Sequence, residues 1–269
     1  MTASKEIQGM HKSKCVNEER LVCIGDVHGC FDELMDLLEK VGFYSGKVDK
    51  ILFVGDLVDK GPKSKEVVEW VKTWGSCCSV ILGNHEEKHV RYHMHEKRKL
   101  KNPAYINPMI VGDDFMKTRS KLLEISLFDP FKLMETWNPY YYVLDEKKHL
   151  VVHGGVFPEV KAEHMHPKVI TRLRYLKSDV EMASLEEIEA HMPYWTEKYK
   201  GPEKIIFGHQ PFHEPHIASH AVGIDTGCVH GMKLTAYCLW DESFVSVEAR
   251  GNYYPLHPTS AGSLNEIWK

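Results

Sequence analysis

An α/β fold follows from three features of the sequence. Apolar runs alternate with amphipathic stretches through the first hundred residues, a charged and proline-bearing middle interrupts them, and a second series of short apolar runs follows. Strands and amphipathic helices in alternation imply parallel βαβ units covered on both faces.

Taken in order, residues 1–18 are polar and read as a loose tail. Residues 21–27 form an apolar run ending in a turn. Phe31, Leu34, Met35, Leu38 and Val41 then recur at helical spacing up to Gly42. Residues 51–57 are a second strand, 63–75 a second amphipathic helix, and 79–84 a third strand before a polar, helix-favouring stretch. From 87 to 139 the pattern changes to a charged start, Pro103 and Pro108, and short helical patterns such as 119–128. This segment is expected to be a helical insertion standing over the sheet. The runs 140–144 and 149–156 predict a hairpin, and Ser184 with Glu187 forms a capping-box pattern. Runs at 204–210, 221–227, 233–239 and 244–249 are short strands whose close spacing predicts antiparallel pairing. One domain over 19–250, carrying the insertion, is expected between the tail 1–18 and a turn-rich tail 251–269.

Composition narrows the class. The 269 residues are 43% hydrophobic, and 34 basic against 38 acidic residues give a net charge of −4, which is not the basic footprint of a nucleic-acid binder. No run of about 18 apolar residues is present to span a bilayer, and the polar N-terminus lacks the apolar stretch of a signal peptide. Seven cysteines without a C-x-x-C pair fit a reduced, cytoplasmic protein. Seventeen histidines raise the expectation of a metal site.

Five strand ends carry metal-ligand side chains beside glycine: Gly25-Asp26-Val27-His28-Gly29, Gly55-Asp56-Leu57-Val58-Asp59, Gly83-Asn84-His85-Glu86, His153-Gly154-Gly155 and Gly208-His209. Ligands bind beyond the carboxyl ends of strands in open α/β sheets. Any one of these segments alone reads as a turn, a cap or a core histidine; five at successive strand ends do not. Asp26 and His28, two apart in an extended segment, project to one side and could grip one ion. The mixed carboxylate, amide and imidazole set suits Mn, Fe or Zn better than Ca.

As an ordered set, these five segments resemble the calcineurin-like metallophosphoesterases, in particular the phosphoprotein phosphatase branch, over about residues 20 to 250. The resemblance implies a central β-sandwich flanked by helices, an α-β-β-α arrangement of four layers, with two divalent metal ions on top. It assigns Asp26, His28 and Asp56 to one ion and Asp56, Asn84, His153 and His209 to the other. The expected reaction is hydrolysis of a phosphoester or phosphoanhydride by hydroxide held between the ions. His85 is the expected acid for the leaving group, oriented by Asp59. Lys60 stands where this branch has Arg, and Arg172 or Arg174 could supply a second phosphate contact.

Residues 223–236, beginning Gly223-Ile224-Asp225-Thr226-Gly227-Cys228-Val229, resemble a segment of the symmetrical diadenosine-tetraphosphatase group and of the lambda-phosphatase-like enzymes. A nucleotide substrate, either a dinucleoside polyphosphate or a phosphomonoester, is therefore expected. Three alternatives remain open: a serine/threonine protein phosphatase, an enzyme opening 2′,3′-cyclic phosphates at RNA ends, and a non-catalytic binding module. The insertion is the expected specificity element, beginning with Arg91, Lys97, Arg98, Lys99 and Lys101, which read as a solvated face. His89, His93 and His95 read as surface histidines, and Trp137, Tyr140 and Tyr141 as core.

Overall fold

The computed structural model describes residues 20–143 and 148–256. The tail expected at 1–18, and all but residues 251–256 of the expected C-terminal tail, lie outside the described residues.

The chain begins with β1 (Leu21–Ile24), α1 (Phe31–Val41), β2 (Lys50–Phe53), α2 (Ser64–Thr73) and β3 (Cys78–Val80). These are the βαβ units expected, and α1 stops at Gly42, whose φ of 81° closes the helix in the left-handed region. The middle supplies α3 (Asn84–Lys101), α4 (Asp113–Leu123) and α5 (Pro130–Met134), so the insertion is helical as expected. Then come β4 (Tyr140–Val143), β5 (His149–Val152), α6 (Pro167–Ile170), β6 (Leu176–Ser178), β7 (Glu181–Met182) and α7 (Trp195–Lys198). The chain finishes with β8 (Lys204–Phe207), β9 (His216–Ala218), β10 (Ala221–Gly223), β11 (Lys233–Cys238) and β12 (Ser243–Glu248).

Two five-stranded sheets result, one ordered β12-β11-β1-β2-β3 and the other β4-β5-β8-β10-β9. Period-two alternation decides how they pack. In the first sheet Val22, Ile24, Ile51 and Phe53 face α1 and α2, joining Leu34, Leu38, Val67 and Val71 in one core. Their neighbours Cys23, Leu52 and Val54 face the other way and meet Val151, Ile206 and Val222 of the second sheet. The outer face of the second sheet, with Leu150, Val152, Ile205 and Phe207, packs on Ile170, Trp195 and Tyr199. The result is the expected sandwich of two sheets between helical layers.

The first sheet is covered on both faces as expected, by α1 and α2 on one and by the second sheet on the other. One expectation is corrected: the late strands do not pair with one another as one antiparallel set. β8 runs parallel to both β5 and β10, while β11 crosses to the first sheet, antiparallel to β1 and β12. β9 supplies the reversal that lets β8 and β10 run alike, pairing antiparallel with β10. Parallel running brings the residues after β8 and β10, His209 and Asp225, to the same end of the sheet.

Candidate active site

The loops after β1, β2, β3, β5 and β8 meet at one edge of the sandwich. Asp56 lies at the centre: its Oδ2 is 3.3 Å from His153 Nε2, 3.5 Å from His28 Nε2 and 3.9 Å from His85 Nε2. Two groups able to hold a metal ion share it. One is His28, Asp56 and His85, the other Asp56, His153 and His209, with ligand atoms within 4.8 Å of one another in each. Asn84 Oδ1 lies 3.1 Å from His153 Nε2. Asp26 receives the His209 backbone N–H on both oxygens at 3.1 and 3.2 Å. All six expected metal ligands are thus brought together, although the tight group around His28 takes in His85 rather than Asp26.

Backbone hydrogen bonds orient the imidazoles. His28 Nδ1 lies 2.9 Å from the Val58 carbonyl and His153 Nδ1 2.8 Å from the Val54 carbonyl. A carbonyl only accepts, so each Nδ1 carries the proton and each Nε2 turns a lone pair toward Asp56. Sequence reasoning missed the group that shapes this loop. Glu86, fully buried, accepts N–H bonds from Asp56, Leu57, Val58 and Gly83 at 2.8 to 3.2 Å. The sign of it was an acidic residue at the third position of a helix directly behind a ligand.

The loops are strained where the ligands sit. Among the described residues, seven non-glycine residues have positive φ, and His28, Asp56, Asp59, Lys60 and His209 are five of them. Such conformations cost about 1–3 kcal/mol each and persist where surrounding contacts enforce them, commonly at functional sites. Gly83 and Gly208 allow the close approach. A Cβ on Gly83 would stand 2.2 Å from Asp56 Oδ1, and one on Gly208 2.1 Å from Asp26 Oδ1.

The electrostatics suit cations. Burial, with Asp225 and Asp56 nearby, pushes the Asp26 carboxyl well above its ordinary range, and burial likewise raises Asp225. Burial holds His28 and His209 neutral, the form that binds metal. His209 Nε2 is buried with no hydrogen-bond partner among the described residues. Converging buried carboxylates beside a bare imidazole nitrogen fit a dinuclear centre.

Beside the centre, His85 Nδ1 lies 2.7 Å from Asp59 Oδ2, the expected pair. Lys60 Nζ lies 2.9 Å from His28 Nε2. Arg172 reaches Glu87 at 2.8 Å and the Asn84 carbonyl at 3.3 Å, and Arg174 binds Gln210 Oε1 at 2.6 Å and the His209 carbonyl at 3.5 Å. His89 is not a surface histidine: its side chain is fully buried, with Nε2 2.9 Å from Asp59 Oδ1. The charged run around it concealed a buried helix face. His95 bonds Tyr105, and Arg98, Lys99 and Lys101 are solvent-exposed as expected.

The family model of the calcineurin-like phosphoesterases matches residues 19–243. The chain belongs to that family. Calcineurin-like phosphoesterases are hydrolases, so this chain is an enzyme and the reading as a non-catalytic module falls. Among its relatives, bis(5'-nucleosyl)-tetraphosphatase PrpE [asymmetrical] of Halalkalibacterium halodurans is 32% identical, covering 84% of this chain and 93% of its own length. The protein of the same name from Oceanobacillus iheyensis is 31% identical, covering 84% and 91%. A solved structure described as a "putative diadenosine tetraphosphatase" superposes with a TM-score of 0.67 at 28% identity, covering 87% of this chain and 95% of that one. A yeast serine/threonine phosphatase shares the fold alone, at a TM-score of 0.53 and 14% identity, covering 88% of this chain and 81% of that one. The two PrpE relatives bear the name asymmetrical, whereas residues 223–236 resemble the symmetrical group. No described helix is long and apolar enough to cross a membrane.

Proposed function

We propose that this calcineurin-like phosphoesterase hydrolyses a phosphoanhydride bond of a dinucleoside polyphosphate, with residues 19–250 as its catalytic unit. The observation that carries the reading is the near full-length likeness to tetraphosphatases combined with two ligand groups sharing Asp56. Asp26, His28 and Asp56 would hold one cation, and Asp56, Asn84, His153 and His209 the other. Manganese is the ion expected to support activity in vitro, with iron or zinc as physiological candidates. When bound, two such ions lower the pKa of a water and draw charge from the phosphoryl oxygens.

The remaining chemistry belongs to the side chains. Asp59 stays ionised: burial opposes this, but the N–H bonds from His85 and His89 hold it well below the usual carboxylate range. It fixes the proton on His85 Nδ1 and turns Nε2 toward the centre, where that nitrogen can pass a proton to the leaving oxygen. Arg172, partly exposed and bonded to Glu87 and the Asn84 carbonyl, would meet a phosphate beside Asn84. Arg174, tied to Gln210 Oε1 and the His209 carbonyl and within reach of the field of Asp56, Asp225 and Asp26, would hold the His209 loop and add positive charge for a second phosphate contact. Lys60 offers a mobile point charge rather than a guanidinium fork. Six described cysteines are unpaired, which supports work in a reducing cytoplasm.

The test is turnover by manganese-loaded protein of a dinucleoside tetraphosphate, p-nitrophenyl phosphate, a phosphopeptide and a 2′,3′-cyclic nucleotide. The dinucleotide should be preferred, and its products reveal the cleavage position. Nucleoside triphosphate plus monophosphate marks asymmetrical cleavage, two diphosphates symmetrical. Preference for the phosphopeptide would replace this reading with a protein phosphatase, and preference for the cyclic nucleotide with an RNA-end enzyme.

A further inference from the structure

His89 lies one turn beyond His85 on α3, so the two imidazoles share a helix face. Between them they take both oxygens of Asp59, His89 Nε2 at 2.9 Å from Oδ1 and His85 Nδ1 at 2.7 Å from Oδ2. The His89 tautomer follows from its surroundings. An ionised carboxylate only accepts, so Nε2 carries the proton, and Nδ1 is buried without a partner among the described residues. Behind it, the His89 ring stacks on Phe115 of α4, with centroids 4.1 Å and planes 15° apart, and lies 6.1 Å from Phe131 of α5. The insertion therefore packs directly against the far side of the proton-handling pair.

Asp59 needs such a hold. Its φ of 69° lies in the left-handed region, and its backbone N–H is tied to Ser64 Oγ at 3.0 Å. Neither contact fixes the carboxylate plane, which turns freely about the Cβ–Cγ bond unless both oxygens are engaged. We infer that His89 is a positioning residue for the reaction: it locks the Asp59 carboxylate so that Oδ2 holds His85 in line, and Phe115 of the insertion seats His89. This rests on His85 being the acid. It gives the insertion a part in the chemical step, separate from any contact with substrate. A charge run at the start of α3 thus hides, on its inward face, the second half of a clamp.

The role is read from how rate depends on the leaving group. His89→Leu keeps an apolar side chain against Phe115 but removes the N–H, whereas His89→Gln keeps an N–H donor. With an alkyl phosphate, whose departing oxygen needs a proton, His89→Leu is expected to lower kcat about 10-fold or more with KM unchanged. With p-nitrophenyl phosphate, whose leaving group needs none, kcat should barely move. His89→Gln should restore most of the loss, and Phe115→Leu should show a smaller loss with the same dependence. Melting temperature and bound manganese of each variant separate these effects from unfolding; should His89→Leu not fold, the Phe115→Leu and His89→Gln profiles decide. Equal losses on both substrates, or none on either, would overturn the inference. His85→Ala distinguishes the two layers. If it is blind to the leaving group, the acid assignment fails and the inference with it; if it is steep while His89→Leu is flat, only the role of His89 fails.

Discussion

The two sheets contribute to the site in different ways. The loops after β1, β2 and β3 are laced together. Val27 and His28 both donate to the Asp56 carbonyl, Gly29 donates to that of Leu57, Gly61 to that of His28, and Glu86 gathers four amides from two loops. The second sheet brings His153 and His209 to this block through a few contacts only. His153 donates to the Val54 carbonyl and lies against Asn84 Oδ1, Arg172 reaches the Asn84 carbonyl, and the His209 N–H meets Asp26. One half of the site is a rigid, self-bonded unit, and the other is docked onto it across the interface between sheets. Precise placement of the docked half therefore depends on small residues at the seam more than on bonds within it.

Asp56 belongs to both ligand groups, so Asp56→Asn should have the largest effect. Loss of several kcal/mol of transition-state stabilisation corresponds to a fall in kcat/KM on the order of 1000-fold or more. Steady-state assay with saturating manganese checks it. Glu86→Gln should loosen the laced half alone, lowering activity on the order of 10- to 100-fold while raising the manganese needed for half-maximal rate. Gly208→Ala addresses the docked half. Its Cβ would collide with Asp26, so bound manganese should drop toward one ion per chain at little change in circular dichroism. Were Gly208→Ala to keep two ions and full rate, the seam would be more forgiving than the contacts indicate.

The smallest effect concerns β9, the edge strand of the second sheet. Burial lowers the pKa of His216, which bonds Thr196 Oγ1 at 3.0 Å and stacks on Phe212. The folded state keeps this imidazole neutral, while the unfolded chain takes up a proton near pH 6.5. The unfolded state then binds more protons, so this contribution is complete above about pH 6.5 and is lost as pH falls below it. His216→Gln removes the titration, so the stability difference between wild type and variant should shift against wild type from pH 7 to 5.5. Partial exposure limits the shift to about 1 kcal/mol. Thermal unfolding at the two pH values measures it, and a constant difference would refute the assignment.

Much of this was legible in the chain because candidate metal ligands at strand ends travel with local signals. A glycine beside Asp26, Asp56, Asn84, His153 or His209 is readable without knowing what lies across the fold, and so is helical spacing such as Leu34 to Val41. What could not be read was long-range. That β11 crosses to β1, or that β8 and β10 run parallel, depends on pairing between segments far apart or on one three-residue strand, β9, too short to announce itself. The role of Glu86 depends on amides thirty residues away, and that of His89 on a carboxylate and on Phe115. The guanidiniums of Arg172 and Arg174 look alike in sequence; only their partners, Glu87 for one and Gln210 with the His209 carbonyl for the other, separate them.

If one carboxylate, Asp56, joins the two ligand groups into one dinuclear centre, metal binding must report it. The experiment is to titrate metal-stripped protein with manganese and to follow bound metal together with electron paramagnetic resonance. Two ions per wild-type chain with the magnetic coupling of a bridged pair are expected, and loss of that coupling in Asp56→Asn. A single ion per chain, or two that remain magnetically independent in the wild type, would contradict it.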